Sequence, residues 1–195
     1  MHAAIVLGGG RSARMGTDKL TLRRDGVSLL ARTCQAAGQF AGRIVVAGHE
    51  QPGLEVEFVL EDPPFGGPVA GIAAGLAALD AAEPPAEVLL LAGDLANPEA
   101  AVGLLAAAEP GVDGVVLADG EGRPQYLAGR YRAESLRSAL AGAGEARHLA
   151  VRRTLAGLDL ALVPAPPSTT ADIDTPAGAS AWGFEAPTNE ATGLG

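Results

Sequence analysis

Short apolar runs recur along the chain between alanine-rich stretches, and they predict strands over 2–7, 43–48, 56–60, 87–92, 113–118, 125–131 and 159–163. Several are apolar almost throughout, as in Arg43-Ile44-Val45-Val46-Ala47-Gly48. A strand covered by helices on both faces has no polar side to keep, so such runs point to a mostly parallel sheet. The stretches between them carry helix signals. Ser28 can cap a helix running to about Ala37, and Pro68 suits the first turn of one over 69–81. Asn97-Pro98-Glu99 reads as a cap, a first-turn proline and an acid on the positive helix end, and Thr175-Pro176 repeats the signal for a short last helix. The stretch 133–157 reads as one or two helices broken near Gly142-Ala143-Gly144. Alternating strands and helices predict an α/β fold, a three-layer α/β/α sandwich. Neither a repeat nor a linker divides the chain. A single domain over 1–185 is expected, with a disordered tail over 186–195 where the residues turn small and polar.

Composition narrows the function. Of 195 residues 48% are hydrophobic and 19% charged, and the net charge of −9 disfavours nucleic acid or an anionic membrane as partner. One cysteine, Cys34, permits neither an internal disulfide nor a cysteine zinc cluster. His2, His49 and His148 are scattered without the spacing of a helical metal site. No apolar run approaches the roughly 18 residues of a membrane span, and the N-terminus lacks the basic region of a signal peptide. A cytoplasmic protein is expected.

The first strand runs into Gly8-Gly9-Gly10-Arg11-Ser12-Ala13-Arg14-Met15-Gly16-Thr17-Asp18-Lys19. Ligands of open parallel sheets bind beyond the carboxyl ends of the strands, and glycines let backbone N–H groups approach a phosphate. Five of the 14 basic residues fall between positions 11 and 24, and Lys19 is the only lysine. A Walker A loop is excluded, because Gly10 and Gly16 enclose five residues and Thr17-Asp18 precede the lysine. Gly8-x-Gly10-x-x-Ala13 fits the dinucleotide pattern, but basic and turn-forming residues continue where a helix should open. Only Glu50 could serve as the acid closing the second strand. A tight turn with a solvated basic face would also produce such a loop.

Leu7-Gly8-Gly9-Gly10-Arg11-Ser12-x-Arg14-Met15-Gly16-x-Asp18-Lys19 closely resembles the signature of the MobA-like nucleotidyltransferases, with Gly8 where the family has alanine. The resemblance implies a Rossmann-like nucleotidyltransferase fold and a nucleotide site on Leu7, Gly8, Gly9, Gly10, Lys19, Asp62 and Asp94. Asp62 closes the third strand ahead of Gly67-Pro68-Val69-Ala70-Gly71-Ile72, itself similar to a family segment. Asp94 ends the fourth helix-flanked strand at the position of the family's Mg²⁺ ligand. Here Leu95-Ala96-Asn97-Pro98 follows, so the family's proline arrives two places late. Lys19, Arg14 and Asp94 are the implied catalytic residues. Gly122-Arg123-Pro124-Gln125 resembles the strand lining the acceptor side, which assigns Arg123 and Gln125 there, although a hairpin turn from Asp119-Gly120 would account for them equally. Asp172-Ile173-Asp174-Thr175-Pro176 matches a C-terminal motif that returns to the site and offers Asp172 or Asp174 as a second metal contact. The family asparagine that often touches the nucleotide is replaced by Ala47.

What the resemblance implies is transfer of GMP from GTP to the phosphate of molybdopterin, with Mg²⁺ as cofactor and transient contact with molybdoenzyme maturation proteins. A molybdopterin cytidylyltransferase, a sugar-phosphate nucleotidyltransferase and a non-catalytic nucleotide-binding module are the alternatives.

Overall fold

The computed structural model describes residues 2–9, 18–61, 66–81, 83–142 and 150–187. Gly10, Arg14 and Asp62 therefore lie outside the described residues, as does most of the expected tail. The described strands are β1 (His2–Gly8), β2 (Arg23–Arg24), β3 (Val27–Ser28), β4 (Arg43–Gly48), β5 (Glu57–Val59), β6 (Glu87–Ala92), β7 (Gly114–Ala118), β8 (Pro124–Arg132) and β9 (Leu160–Pro164). The helices are α1 (Leu29–Gly38), α2 (Pro68–Asp80), α3 (Pro98–Ala107), α4 (Ala133–Gly142), α5 (Val151–Leu155), α6 (Pro167–Thr170) and α7 (Pro176–Ala181). None is long and apolar enough to cross a membrane.

Among the described residues a seven-stranded sheet runs β5-β4-β1-β6-β8-β7-β9. Its pairings are parallel except at β8, which lies antiparallel to both β6 and β7. Side chains alternate across each strand, so β1 sends Ala4 and Val6 to one face and Ala3, Ile5 and Leu7 to the other. On the first face Leu30 and Cys34 of α1 and Ala101, Val102 and Leu105 of α3 close a core; on the second, α2, α4 and α5 do so through Val69, Ile72, Leu76, Leu136 and Leu155. The fold is the expected three-layer α/β/α sandwich. Each helical layer also carries an ion pair between helices: Arg32 to Glu99 joins α1 to α3, and Arg137 grips Asp80 bidentately between α4 and α2. Burial pushes the Cys34 thiol up to about 12, so it stays protonated inside the core.

The caps read from the sequence form. The Ser28 hydroxyl accepts from Ala31 N–H at 3.2 Å, and the Thr175 hydroxyl accepts from Gly178 N–H at 3.0 Å. The run expected at 56–60 is shorter, and the missed elements are small. They comprise a 3₁₀ turn at Lys19–Thr21, the β2–β3 hairpin, and α6. Asp25 (φ 54°) and Gly26 (φ 80°) make the hairpin a two-residue turn with both central residues left-handed. The dipeptide Asp-Gly is the signal that would have found it.

Candidate active site

Three adjacent parallel strands, β4, β1 and β6, end at one level, and each ends in glycine: Gly48 and Gly8 are register partners, and Gly93 follows β6. The backbones meet so closely there that side chains are excluded. A Cβ on Gly48 would lie 2.5 Å from the carbonyl of Gly8, and one on Gly93 would lie 2.8 Å from the Leu7 carbonyl, which accepts the Gly93 N–H at 3.0 Å. At Gly8 a Cβ would press on Val46 Cγ1 at 2.7 Å, so here glycine fits where the family pattern has alanine. With Leu7 and Gly9, these positions leave bare backbone at the strand ends. Replacing Gly48 with alanine is expected to destabilise the fold by about 1–3 kcal/mol, since the clash is with backbone and not with a flexible side chain. A lowered midpoint in urea unfolding would register this, and an unchanged midpoint would show that the strand ends are more yielding than drawn.

Asp18 accepts from Leu20 N–H at 3.0 Å and caps the 3₁₀ turn, while Leu20 is buried against α1. Lys19 is thereby directed over the strand ends. Its ammonium donates to Asp94 at 2.5 Å and to Asp174 at 2.8 Å. The two carboxylates arrive by different routes. Asp94 terminates the β6 segment. Asp172 and Asp174 come from an extended C-terminal stretch whose Ile173 N–H donates to the Asp94 carbonyl at 2.9 Å, while Ala96 N–H donates to the Ala171 carbonyl at 2.9 Å. Extended backbone alternates its side chains, so Ile173 goes into a buried cluster with Leu22, Leu29, Ala96, Ala179 and Phe184, and its neighbours face the site. The two residues that displace the family proline, Leu95 and Ala96, are buried and form the edge on which this stretch pairs.

The electrostatics follow from the crowding. Burial alone would lower the Lys19 ammonium's pKa. Hydrogen bonds and charge from Asp174 and Asp94 outweigh that and hold it above its ordinary value, so it stays charged. Asp172 is open towards the site yet crowded by protein behind. Loss of solvent, and then the charges of Asp94 and Asp174, raise its pKa above the usual carboxylate range against the pull of Lys19. Among the described residues no group of three or more His, Cys, Asp and Glu forms a metal cage. Mg²⁺ needs no such cage: it is commonly held through one or two carboxylates and the substrate's phosphates. A cluster of hard carboxylate oxygens beside the strand ends fits that mode.

A cavity of about 310 Å³ adjoins the cluster, lined by Asp94, Asp172, Gln125, Tyr126, Leu127 and Thr170 among others. Of the sequence candidates, Leu7, Gly8, Gly9, Lys19, Asp94, Asp172 and Asp174 converge at the strand ends, and Gln125 borders the same space. Arg123 does not. Its guanidinium turns onto Asp119 at 3.0 Å and onto Glu121, closing the hairpin turn, and Gln125 donates to Asp119 as well. Sequence reading missed Gly48, Gly93 and Tyr126.

Known proteins share this chain's sequence pattern and fold. Residues 4–159 match the family described as the MobA-like NTP transferase domain. A probable molybdenum cofactor guanylyltransferase from Synechococcus elongatus is 36% identical over 101 residues, covering 48% of this chain and 50% of that protein. The chain thus matches about half the length of such relatives. Among solved structures, molybdopterin-guanine dinucleotide biosynthesis protein A from Archaeoglobus fulgidus superposes with a TM-score of 0.59 at 19% identity, over 94% of this chain and 97% of that one. The 2-C-methyl-D-erythritol 4-phosphate cytidylyltransferase from Thermus thermophilus does so with 0.59 at 21% identity, over 93% and 97%. These two likenesses show a shared fold.

Proposed function

The chain belongs to the MobA-like NTP transferase family, and from that premise we propose that it moves GMP from GTP onto the terminal phosphate of molybdopterin, releasing pyrophosphate. One observation carries the reading: Lys19 and Asp94, 75 positions apart, meet beside bare glycine backbone at the carboxyl ends of β1 and β6. In the transfer, an oxygen of the acceptor phosphate attacks the α-phosphorus, the bond from that phosphorus to the β-phosphate bridge breaks, and pyrophosphate leaves with the electron pair. Such reactions need positioning and charge neutralisation more than a strong base. The glycine backbone at Gly8 and Gly9 admits the triphosphate, with Gly10, Arg14 and Asp62 assigned to the same nucleotide by family resemblance. Lys19 and, by family resemblance, Arg14 supply positive charge for two anionic substrates in a chain whose net charge is −9. Asp94, with Asp172 or Asp174, would hold Mg²⁺, which when bound supplies further neutralisation of phosphate charge. Gln125 borders the cavity assigned to the acceptor, with its amide held by Asp119.

The test is pyrophosphate release by the purified chain across a panel of NTPs and acceptors. Release with GTP and molybdopterin is expected, abolished by EDTA and restored by added Mg²⁺. Activity indifferent to chelator would remove the metal. Release with CTP instead, or with a sugar phosphate, would replace the substrate. NTP binding without pyrophosphate from any acceptor would overturn catalysis and leave a nucleotide-binding module.

A further inference from the structure

β8 is broken where it passes the site. On β7 the consecutive residues Val116 and Leu117 oppose Gly129 and Gln125, so Tyr126, Leu127 and Ala128 have no partner on that side. Ala128 still pairs with Leu91 of β6, whereas Tyr126 and Leu127 pair with neither neighbour. These unpaired residues form a wall of the cavity beside Asp94 and Asp172. An interruption of that size leaves backbone groups without ladder partners, and such groups need another source of hydrogen bonds.

One source is Tyr131. Its ring is wholly buried, and its hydroxyl donates to the Tyr126 carbonyl at 2.7 Å. Gly129 makes the reach possible. A Cβ there would lie 2.8 Å from Tyr131 Cε2 and 2.7 Å from Val116 Cγ1, so the ring lies over the space an alanine would fill. Ring, missing side chain and captured carbonyl make a strut from the sheet interior to the cavity wall.

The cavity sits on the β6–β8 side of Asp94, whereas Gly8 and Gly48 end the strands on its other side, β1 and β4. Resting on the transfer reaction proposed above, we infer that Tyr131 is a positioning residue: through the Tyr126 carbonyl it holds the β8 bulge in the shape that the acceptor half of the cleft requires, without touching either substrate. The nucleotide half, built on β1 and β4, does not depend on it.

Tyr131→Phe tests this by deleting the hydroxyl and little else. The KM for the acceptor is expected to rise on the order of tenfold, as for one lost buried hydrogen bond. The KM for GTP and kcat at saturating acceptor should stay near wild type, and amide hydrogen exchange over residues 125–128 should quicken. A change of kcat and both KM values together would mean general loosening and would overturn the inference, as would an unchanged acceptor KM. The exchange measurement is independent of turnover. If the wild-type chain transfers to no acceptor, the functional reading fails by itself, while unaltered exchange in Tyr131→Phe would sink the strut whatever the activity.

Discussion

Replacing Asp94 with asparagine is expected to lower turnover by a factor on the order of 10²–10³ while the chain stays folded, comparable to removing one preorganised charge contact from an active site. The substitution keeps the side chain's shape, and the Asp94 carbonyl still accepts the Ile173 N–H, so the C-terminal stretch remains docked. The negative charge is what is lost. It holds Lys19 in place now, and under the proposed function it is the carboxylate that would hold Mg²⁺. Stability should change little, because the loss of one ion pair is partly offset by relief of the Asp94 repulsion that adds to burial in raising the pKa of Asp172. Pyrophosphate release measured beside a thermal melt separates the two effects. Turnover near wild type would take Asp94 out of the reaction, and a collapsed melt would recast it as a structural residue.

The parts legible in the sequence are those whose cause is local. β4 and β6 lie within the runs expected for them because a strand covered on both faces is apolar along its length. Ser28 and Thr175 cap helices because the cap is decided within a few residues. The meeting of Lys19 with Asp94 was accessible only through a recognised motif, since no spacing rule links positions 75 apart. What stayed hidden depends on partners distant in the chain. The close approach that forces glycine at 48 and 93 exists only once the parallel register is known. The interrupted pairing of β8 is invisible in a stretch, Gln125 to Tyr131, that reads as one strand. Arg123 is the opposite case: the family motif points to the acceptor, whereas Asp119, four residues earlier, takes up its guanidinium. The alternative of a simple hairpin turn accounts for its placement.

Lys19→Ala is expected to reduce turnover by a similar factor, on the order of 10²–10³, for a different reason. With the ammonium gone, Asp94, Asp172 and Asp174 face each other with no cation hydrogen-bonded to them among the described residues. The site then repels the triphosphate it should attract, and the KM for GTP should climb with the fall in kcat. Lys19→Arg separates charge from shape. The guanidinium restores the charge but is planar and bulkier, so it should recover nucleotide affinity more fully than turnover if a compact point charge is required. Equal recovery of both would mean that net charge alone suffices. The ion pairs also bear on stability. Because the pKa of Lys19 is held above its ordinary value, whatever it contributes is present through the neutral range and is lost only as pH rises through that elevated value. Wild type and Lys19→Ala should therefore differ by an increment in melting temperature that does not shrink between about pH 7 and 9, and Asp172, which loses the pull of Lys19 in the variant, can only widen it there. An increment that faded within that window would show that the ammonium is not held as its two carboxylate partners require.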